Sequence, residues 1–393
     1  MRKVLITGNG FDLNYNLPTS YSDFINILNF VEQNDKYEFN QIYSNVDKYE
    51  NILRKYKSFK INVESINDLK ILLKNNLWYI FFSSEYRIDT WIDFENKIER
   101  VLKILFTSSK SIRKEIFEKG SLTKKDSFYR NTIFNNNAEV IYVLKTFKII
   151  EIHKSNKSLF ILNEDFLISK YDSYIDIDLD KISKSLLLNL NNFKKIFNYY
   201  FKIFVFPFYD NLKLKDEYYF LKQFTHHFTF NYTPTFEKVT DFIDVKTNYL
   251  HGNIESERNN IVLGINEIVD DFVDKNYFIP FTKTYQKLNY QTDYLFLKEF
   301  QDIENDYMFF FWGHSLDRSD KKYINEVFDF IKKLESNYKK IVIIYHDENA
   351  KSKLLLNLFS IRGENDIEYM MKENYLVFVK SYTSQLNSLI IDY

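Results

Sequence analysis

Histidine is the side chain best suited to proton transfer near neutral pH, and five of the six histidines lie in the second half of the chain: His226, His227, His251, His314 and His346. Three of them fall at or just after apolar or β-branched runs, in Tyr249-Leu250-His251-Gly252, Phe311-Trp312-Gly313-His314-Ser315 and Ile343-Ile344-Tyr345-His346. If those runs are neighbouring strands of one sheet, three imidazoles face one crevice and can act as bases or hold hydroxyl groups. A lone histidine there is more often a structural residue than a catalytic one. The carboxylates near the histidines follow no metal-ligand spacing and there is no His-Glu-x-x-His, so no metal site is expected. The chain has no cysteine. That removes disulfides, thiolate nucleophiles and Cys-based zinc sites, and it fits a reducing cytoplasm.

A second constellation opens the chain. The apolar run Val4-Leu5-Ile6-Thr7 leads into Gly8-Asn9-Gly10-Phe11-Asp12. Backbone amides in such a loop can approach a pyrophosphate without side-chain conflict. The loop is shorter than a full Gly-x-Gly-x-x-Gly fingerprint and a Walker lysine is absent. Asp12 cannot be a phosphate ligand. It could accept hydrogen bonds from a ribose, orient a neighbour, or cap the next turn. Glycine is scarce, with seven in all, and five of them (Gly8, Gly10, Gly252, Gly264 and Gly313) follow or end apolar runs. That pattern is expected of loops at the carboxyl ends of parallel strands, where open α/β sheets bind ligands.

The elements that must position these residues read as a parallel α/β sheet. Strands are expected over 2–7, 228–230, 248–250, 260–263, 307–312 and 340–346, the last being the final clear strand. Ser20 or Thr19 should cap a helix carrying Phe24, Ile27, Leu28 and Val31. Residues 35–110 read as mostly helical, with Trp91, Phe94 and Ile98 on one face and Glu95 beside that stripe. Residues 107–137, rich in Lys, Ser and Asn, suggest loops or a mobile insertion. A long helix is expected over 177–204, ended by Pro207, another after Pro234 with Thr233 or Thr235 as cap, then 284–304 and 321–334. Strand-helix alternation at both ends argues for a Rossmann-like sheet formed by 1–34 and 222–393, with 35–221 as a mainly helical insertion.

Composition sets limits on function. With 53 basic and 54 acidic residues the net charge is -1, so nothing global argues for a nucleic-acid partner. Hydrophobic residues at 45% can bury a large core. No window reaches the roughly 18 apolar residues a membrane span needs, and no secretory signal is visible. A soluble, cytoplasmic protein is expected.

Leu5-Ile6-Thr7-Gly8-Asn9-Gly10-Phe11-Asp12-Leu13 with Leu17-Pro18-Thr19-Ser20-Tyr21-Ser22-Asp23-Phe24 resembles the opening signature of the bacterial phage-abortive-infection family AbiH. Further blocks follow in the expected order: Trp91 to Glu95, Thr229-Phe230-Asn231-Tyr232-Thr233, Leu250-His251-Gly252, Gly313-His314-Ser315-Leu316 with Asp320, and Ile341 to His346. The same order is similar, more remotely, to the sirtuin-type NAD-binding fold, at Gly8 and Gly10, Asp23-Phe24, Asn231, His251, and Gly313 with Ser315. Asn9 and Asp12 depart from the sirtuin loop, and the sirtuin zinc ribbon needs cysteines. A protein deacetylase is therefore not implied.

What the resemblance implies is NAD hydrolysis by an antiphage effector. In that reading His251, Asn231 and Asp12 are catalytic. His251 acts as base or holds a ribose hydroxyl, Asn231 positions water and ribose, and Asp12 stabilises developing positive charge. Gly8, Asn9, Gly10, Phe11, Asp23, Gly313, His314, Ser315 and Asp317 bind the nucleotide, with Ser315 and Asp317 at the adenosine half. NAD enters as substrate, with no bound prosthetic group. A phage-derived trigger is an expected partner, and the aromatic-rich insertion could supply a homo-oligomer interface. Two other readings stay open: a sensor that binds NAD or ADP-ribose without turnover, and a phage-defence nuclease. Neutral charge and the lack of an acidic metal cluster count against the nuclease.

Overall fold

A computed structural model describes residues 1–391 apart from 85–90, 124–125, 130–133, 135–136, 172, 241–244, 255–259, 267–274, 293–295, 301 and 337. Among these residues Arg2–Thr7 (β1), His226–Thr229 (β2), Thr247–Tyr249 (β3), Tyr307–Trp312 (β4), Lys339–Tyr345 (β5) and Leu376–Lys380 (β6) form one sheet. All pair in parallel, in the order β3-β2-β1-β4-β5-β6. The chain winds one way from β1 through β2 and β3, then crosses back to β4. Ligands of such sheets bind beyond the carboxyl ends of the strands at that reversal. The fold is thus α/β and Rossmann-like.

The sheet forms because its strands are apolar on both faces, as parallel strands covered by helices must be. Every residue of β4 is buried. Alternate residues enter different cores. Leu5, Phe310, Trp312, Val342, Ile344 and Val379 join one apolar cluster that also holds Phe24, Phe94, Phe193 and Phe197 of the long β1–β2 connection. Val4, Ile6, Phe309, Phe311, Ile341, Ile343 and Leu376 join another. Each such side chain contributes roughly 1.5–3 kcal/mol when fully buried.

The helices used below are Asn9–Asn14 (α1), Tyr21–Gln33 (α2), Trp91–Lys119 (α3), Leu179–Tyr200 (α4), Lys283–Tyr290 (α5), Lys321–Lys333 (α6) and Glu348–Arg362 (α7). Helix α2 begins with a reciprocal cap. Ser20 Oγ accepts the Asp23 N–H at 3.0 Å, and Asp23 Oδ2 accepts the Ser20 N–H at 3.3 Å. Helix α4 continues into a π-helical turn over Phe201–Val205, and Pro207 opens the short 3₁₀ segment beyond it.

Several elements differ from the sequence reading. The expected loop after residue 107 is helical to Lys119, because Ile112 and Ile116 keep one face of α3 buried. Small antiparallel strands follow: Phe128–Tyr129, Ile150–Ile152 and Leu159–Leu162 in one sheet, Leu167–Lys170 and Ser173–Ile177 in another. The expected helix over 284–304 stops at Tyr290, where Gln291 turns left-handed at φ 55; its residues 293–295 and 301 lie outside the described residues. The run Asn260 to Leu263 is not a strand of the sheet. Its Leu263 is gripped by the Gln286 amide, which accepts the Leu263 N–H at 3.0 Å and donates to the Leu263 carbonyl at 2.9 Å. A side-chain amide there takes the place of a neighbouring strand. Beyond β5 the chain adds β6, which the sequence reading missed. No helix among the described residues is long and apolar enough to cross a membrane.

Candidate functional site

The loop after β1 is locked to the loop after β4. The Gly8 N–H donates to the Trp312 carbonyl at 3.1 Å, the Gly10 N–H to the Gly313 carbonyl at 2.8 Å, and the Phe11 N–H to the Gly8 carbonyl at 2.9 Å. A Cβ at Gly10 would lie 2.7 Å from Gly313 Cα, and one at Gly8 2.7 Å from His314 Cα. Gly313 adopts φ +67, with the Phe11 nitrogen 2.3 Å from where its own Cβ would stand. These glycines let two backbones touch, and the three amides are already satisfied by protein carbonyls. The Phe11 ring is buried against Trp312, with centroids 5.2 Å apart. Asn9 is partly exposed, and its side chain has no hydrogen-bond partner among the described residues.

Beneath this loop lies a neutral-and-acid network. Asn231 Nδ2 donates to the Gly8 carbonyl at 3.0 Å and to Asp12 Oδ1 at 3.1 Å. Thr233 Oγ1 donates to Asp12 Oδ2 at 2.5 Å. Asp12 is 1% exposed. Burial pushes its carboxyl up to about 6, although hydrogen bonds from Thr233, Thr235 and Asn231 pull the other way. Thr233, expected to cap a helix, instead serves Asp12.

The second network gathers charges at the carboxyl edge. His251 follows β3 and His314 follows β4, and both imidazoles reach Asp320, which sits just before α6. His251 Nε2 is 3.1 Å from Asp320 Oδ1, and His314 Nε2 is 3.3 Å from Oδ2. The Leu316 N–H donates to His314 Nδ1 at 2.9 Å. Nδ1 is therefore the acceptor, and the ring hydrogen sits on Nε2, facing Asp320. Leu316 pays for this contact with a left-handed φ of 52, a conformation costing about 1–2 kcal/mol in a non-glycine residue. His251 Nε2 is enclosed and lacks an aligned hydrogen bond. The Phe230 ring lies 4.1 Å from His314 and 5.3 Å from both His251 and Tyr323, centroid to centroid.

Helices from distant parts of the chain complete the cluster. Lys283 Nζ from α5 lies 2.8 Å from Glu95 Oε1 of α3 and 3.5 Å from Asp320 Oδ1. Burial opposes the Asp320 charge, yet Lys283, His251 and His314 hold its carboxyl well below the usual range. Burial likewise opposes the Lys283 charge, but Asp320 and Glu95 raise its ammonium above the ordinary value. Burial pushes Glu95 up to about 7, with Lys283 pulling down and Asp320 pushing further up. Burial and then the Lys283 charge push His251 down to about 3, so it is neutral near pH 7. The set comprises a fixed anion, a fixed cation, a neutral imidazole and a carboxyl that titrates near neutrality. Groups pushed apart in this way can divide acid, base and positioning roles.

A family model described as bacteriophage abortive infection AbiH matches residues 4–345. The chain belongs to this family. The AbiH match runs from β1 to the end of β5 and so contains every residue of both networks. No curated protein and no solved structure matches the chain.

The AbiH sheet places the other expected site residues as follows. His346 does not join the imidazoles at Asp320. Its side chain is 74% exposed and lies 3.1 Å from Asp347. The expectation of three imidazoles in one crevice holds for two: His251 and His314 meet at Asp320 and at the Phe230 ring, while His346 points to solvent. Asp23 is occupied by the Ser20 and Asp47 N–H groups at the start of α2. Ser315 is exposed, with its carbonyl accepting from Asn357 Nδ2 at 2.9 Å. Asp317 caps the turn before α6 by accepting the Ser319 N–H at 3.0 Å. His227 is a satisfied core histidine, 2.9 Å from Thr7 Oγ1 and 3.0 Å from Thr247 Oγ1.

The sequence alone points to no role for Glu95 or Lys283, although Glu95 and Asp320 lie in the family blocks. The usable signal for Glu95 was an acidic residue beside the apolar stripe of Phe94 and Ile98. Lys283 gave none.

Proposed function

We propose that this AbiH chain is an abortive-infection effector that hydrolyses the nicotinamide–ribose bond of NAD or of a closely related nucleotide. The observation that carries the reading is the convergence of His251, His314 and Lys283 on Asp320, with Glu95 on the other side of Lys283, beyond the carboxyl ends of a sheet whose strand order reverses there. A protonatable carboxyl and a neutral imidazole beside a nucleotide-type sheet suit a glycosidic bond that breaks through an oxocarbenium-like state.

In this mechanism the bond between ribose C1′ and the pyridinium nitrogen breaks. Its electron pair stays on nitrogen, so nicotinamide leaves neutral. A water oxygen bonds to C1′, and its proton passes to ionised Glu95. Neutral His251 holds a ribose hydroxyl, and the His314–Asp320 pair fixes the negative end of the site. Asn231 and Asp12 act from beneath, bracing the loop of Gly8, Asn9, Gly10 and Phe11 against Gly313. Asn9, Ser315 and Asp317 are the groups of these loops left to meet the nucleotide.

Incubating the purified protein with NAD and resolving the products by chromatography tests the reading. Nicotinamide release is expected, and it should be lost in His251→Ala and Glu95→Gln while circular dichroism shows that each variant remains folded. Binding of NAD without release by the wild type, under conditions that arrest phage growth, would sink the hydrolase and leave a sensor.

A further inference from the structure

Lys287 is four residues after Lys283 on α5, so the two ammonium groups share a helix face. Their surroundings differ. Lys283 lies between Glu95 and Asp320. Lys287 has no ion pair or hydrogen bond among the described residues, and its nitrogen stands 4.0 Å from the centroid of the Tyr323 ring. That ring is 6.4 Å from the His251 imidazole and 5.3 Å from Phe230, and its hydroxyl is tied to the Leu250 carbonyl at 3.2 Å. The Lys287 ammonium is therefore held on an aromatic wall of the Asp320 site.

A half-buried cation over one aromatic face is incompletely compensated. A cation–π contact supplies about 0.5–2 kcal/mol, less than the several kcal/mol of effective desolvation that full burial of an ion costs. The charged groups facing Lys287 are Lys283 on its own helix, Asp320 and Glu95 across the site, and Lys322 and Glu326 on α6. Asp320 and Glu95 are taken by Lys283, and Glu326 makes no ion pair with Lys287. A lysine so placed gains most from an incoming anion, which supplies charge-assisted hydrogen bonds.

We propose that Lys287 is the docking point for the anionic group of the ligand, a phosphate or pyrophosphate held on the Tyr323 wall. This rests on the reading that the Asp320 cluster is the ligand site. It deepens that reading by requiring a phosphate-bearing ligand, a nucleotide rather than a nucleoside, with its phosphate toward α5 and α6 and its reacting ribose toward Asp320 and Glu95.

The test uses the wild-type protein and inorganic pyrophosphate. Brief acylation of lysines, read residue by residue by mass spectrometry, should modify Lys287 more slowly when pyrophosphate is present. Exposed Lys184 should react at the same rate with or without it. In titration calorimetry Lys287→Met should weaken pyrophosphate binding about tenfold or more, the loss expected for one charge-assisted hydrogen bond, and Lys287→Arg should retain most of it. Unprotected Lys287, or unchanged binding by Lys287→Met, overturns the proposal even if NAD is cleaved. Protection of Lys287 without nicotinamide release would leave the anion site standing and remove the hydrolase reading.

Discussion

Glu95 and Asp320 share one ammonium: Lys283 Nζ stands 2.8 Å from the first carboxylate and 3.5 Å from the second. A single cation cannot hold two buried anions equally. Asp320 has two imidazoles besides and keeps its charge, whereas Glu95 is left with a carboxyl pushed up to about 7.

On the proposed NAD-hydrolase reading, the rate of nicotinamide release should follow this titration. If Glu95 takes the proton from water, it works in its ionised form, so the rate rises with pH through about 7 and then levels. Glu95→Gln should cut the rate by about a hundredfold or more and abolish that inflection. A pH–rate profile in which the variant keeps the inflection would assign it to another group.

Removing the shared cation should cost stability. Lys283→Met strands two carboxyl groups, and chemical denaturation should show a loss of about 3–5 kcal/mol, the usual penalty for breaking one side of a buried pair. Adding Glu95→Gln should restore part of the loss, because one stranded charge is then gone. Additive losses in the double variant would show that the two groups do not interact.

Asp12 should make the protein less stable as pH rises through mild acid. Its folded value of about 6 lies above the ordinary 3.8, so the folded chain holds this proton longer than the unfolded chain. The stability it provides is complete below about pH 4 and is lost as pH rises through 6, a change of about 3 kcal/mol. Asp12→Asn has no carboxyl to titrate. Denaturation curves from pH 4 to 7 should therefore slope less in the variant than in the wild type, and parallel slopes would contradict the assignment.

Two glycines at positive φ offer a contrast. Gly313→Ala drives a methyl into the Phe11 backbone, whereas Gly120, at φ +79, has open space around it. The first substitution should cost on the order of 3 kcal/mol and the second about 1 kcal/mol. Equal shifts in melting temperature would mean that the Gly313 contact relaxes.

Strands built from unbroken apolar runs, such as Leu5 and its neighbours or Phe309-Phe310-Phe311, were legible because burial on both faces leaves a composition signal. The same signal misled at Ile261-Val262-Leu263, where one glutamine amide replaces a partner strand. His251, His314 and Asn231 were legible as loop residues after strands. Lys283 was not, because its role arises only when α5 is brought against α3 and the β4 loop. Likewise, nothing in the sequence around His346 shows that its ring ends in solvent while His314, one strand away, is enclosed.

The contact between the first loop and Gly313 also constrains how this chain can vary. Each missing Cβ at positions 8, 10 and 313 would strike main-chain or Cβ atoms of the opposite loop, which no partner substitution can shorten. A side chain gained at one position cannot be accommodated by trimming another. The three glycines should therefore resist replacement singly and in combination, because each added Cβ brings its own main-chain clash.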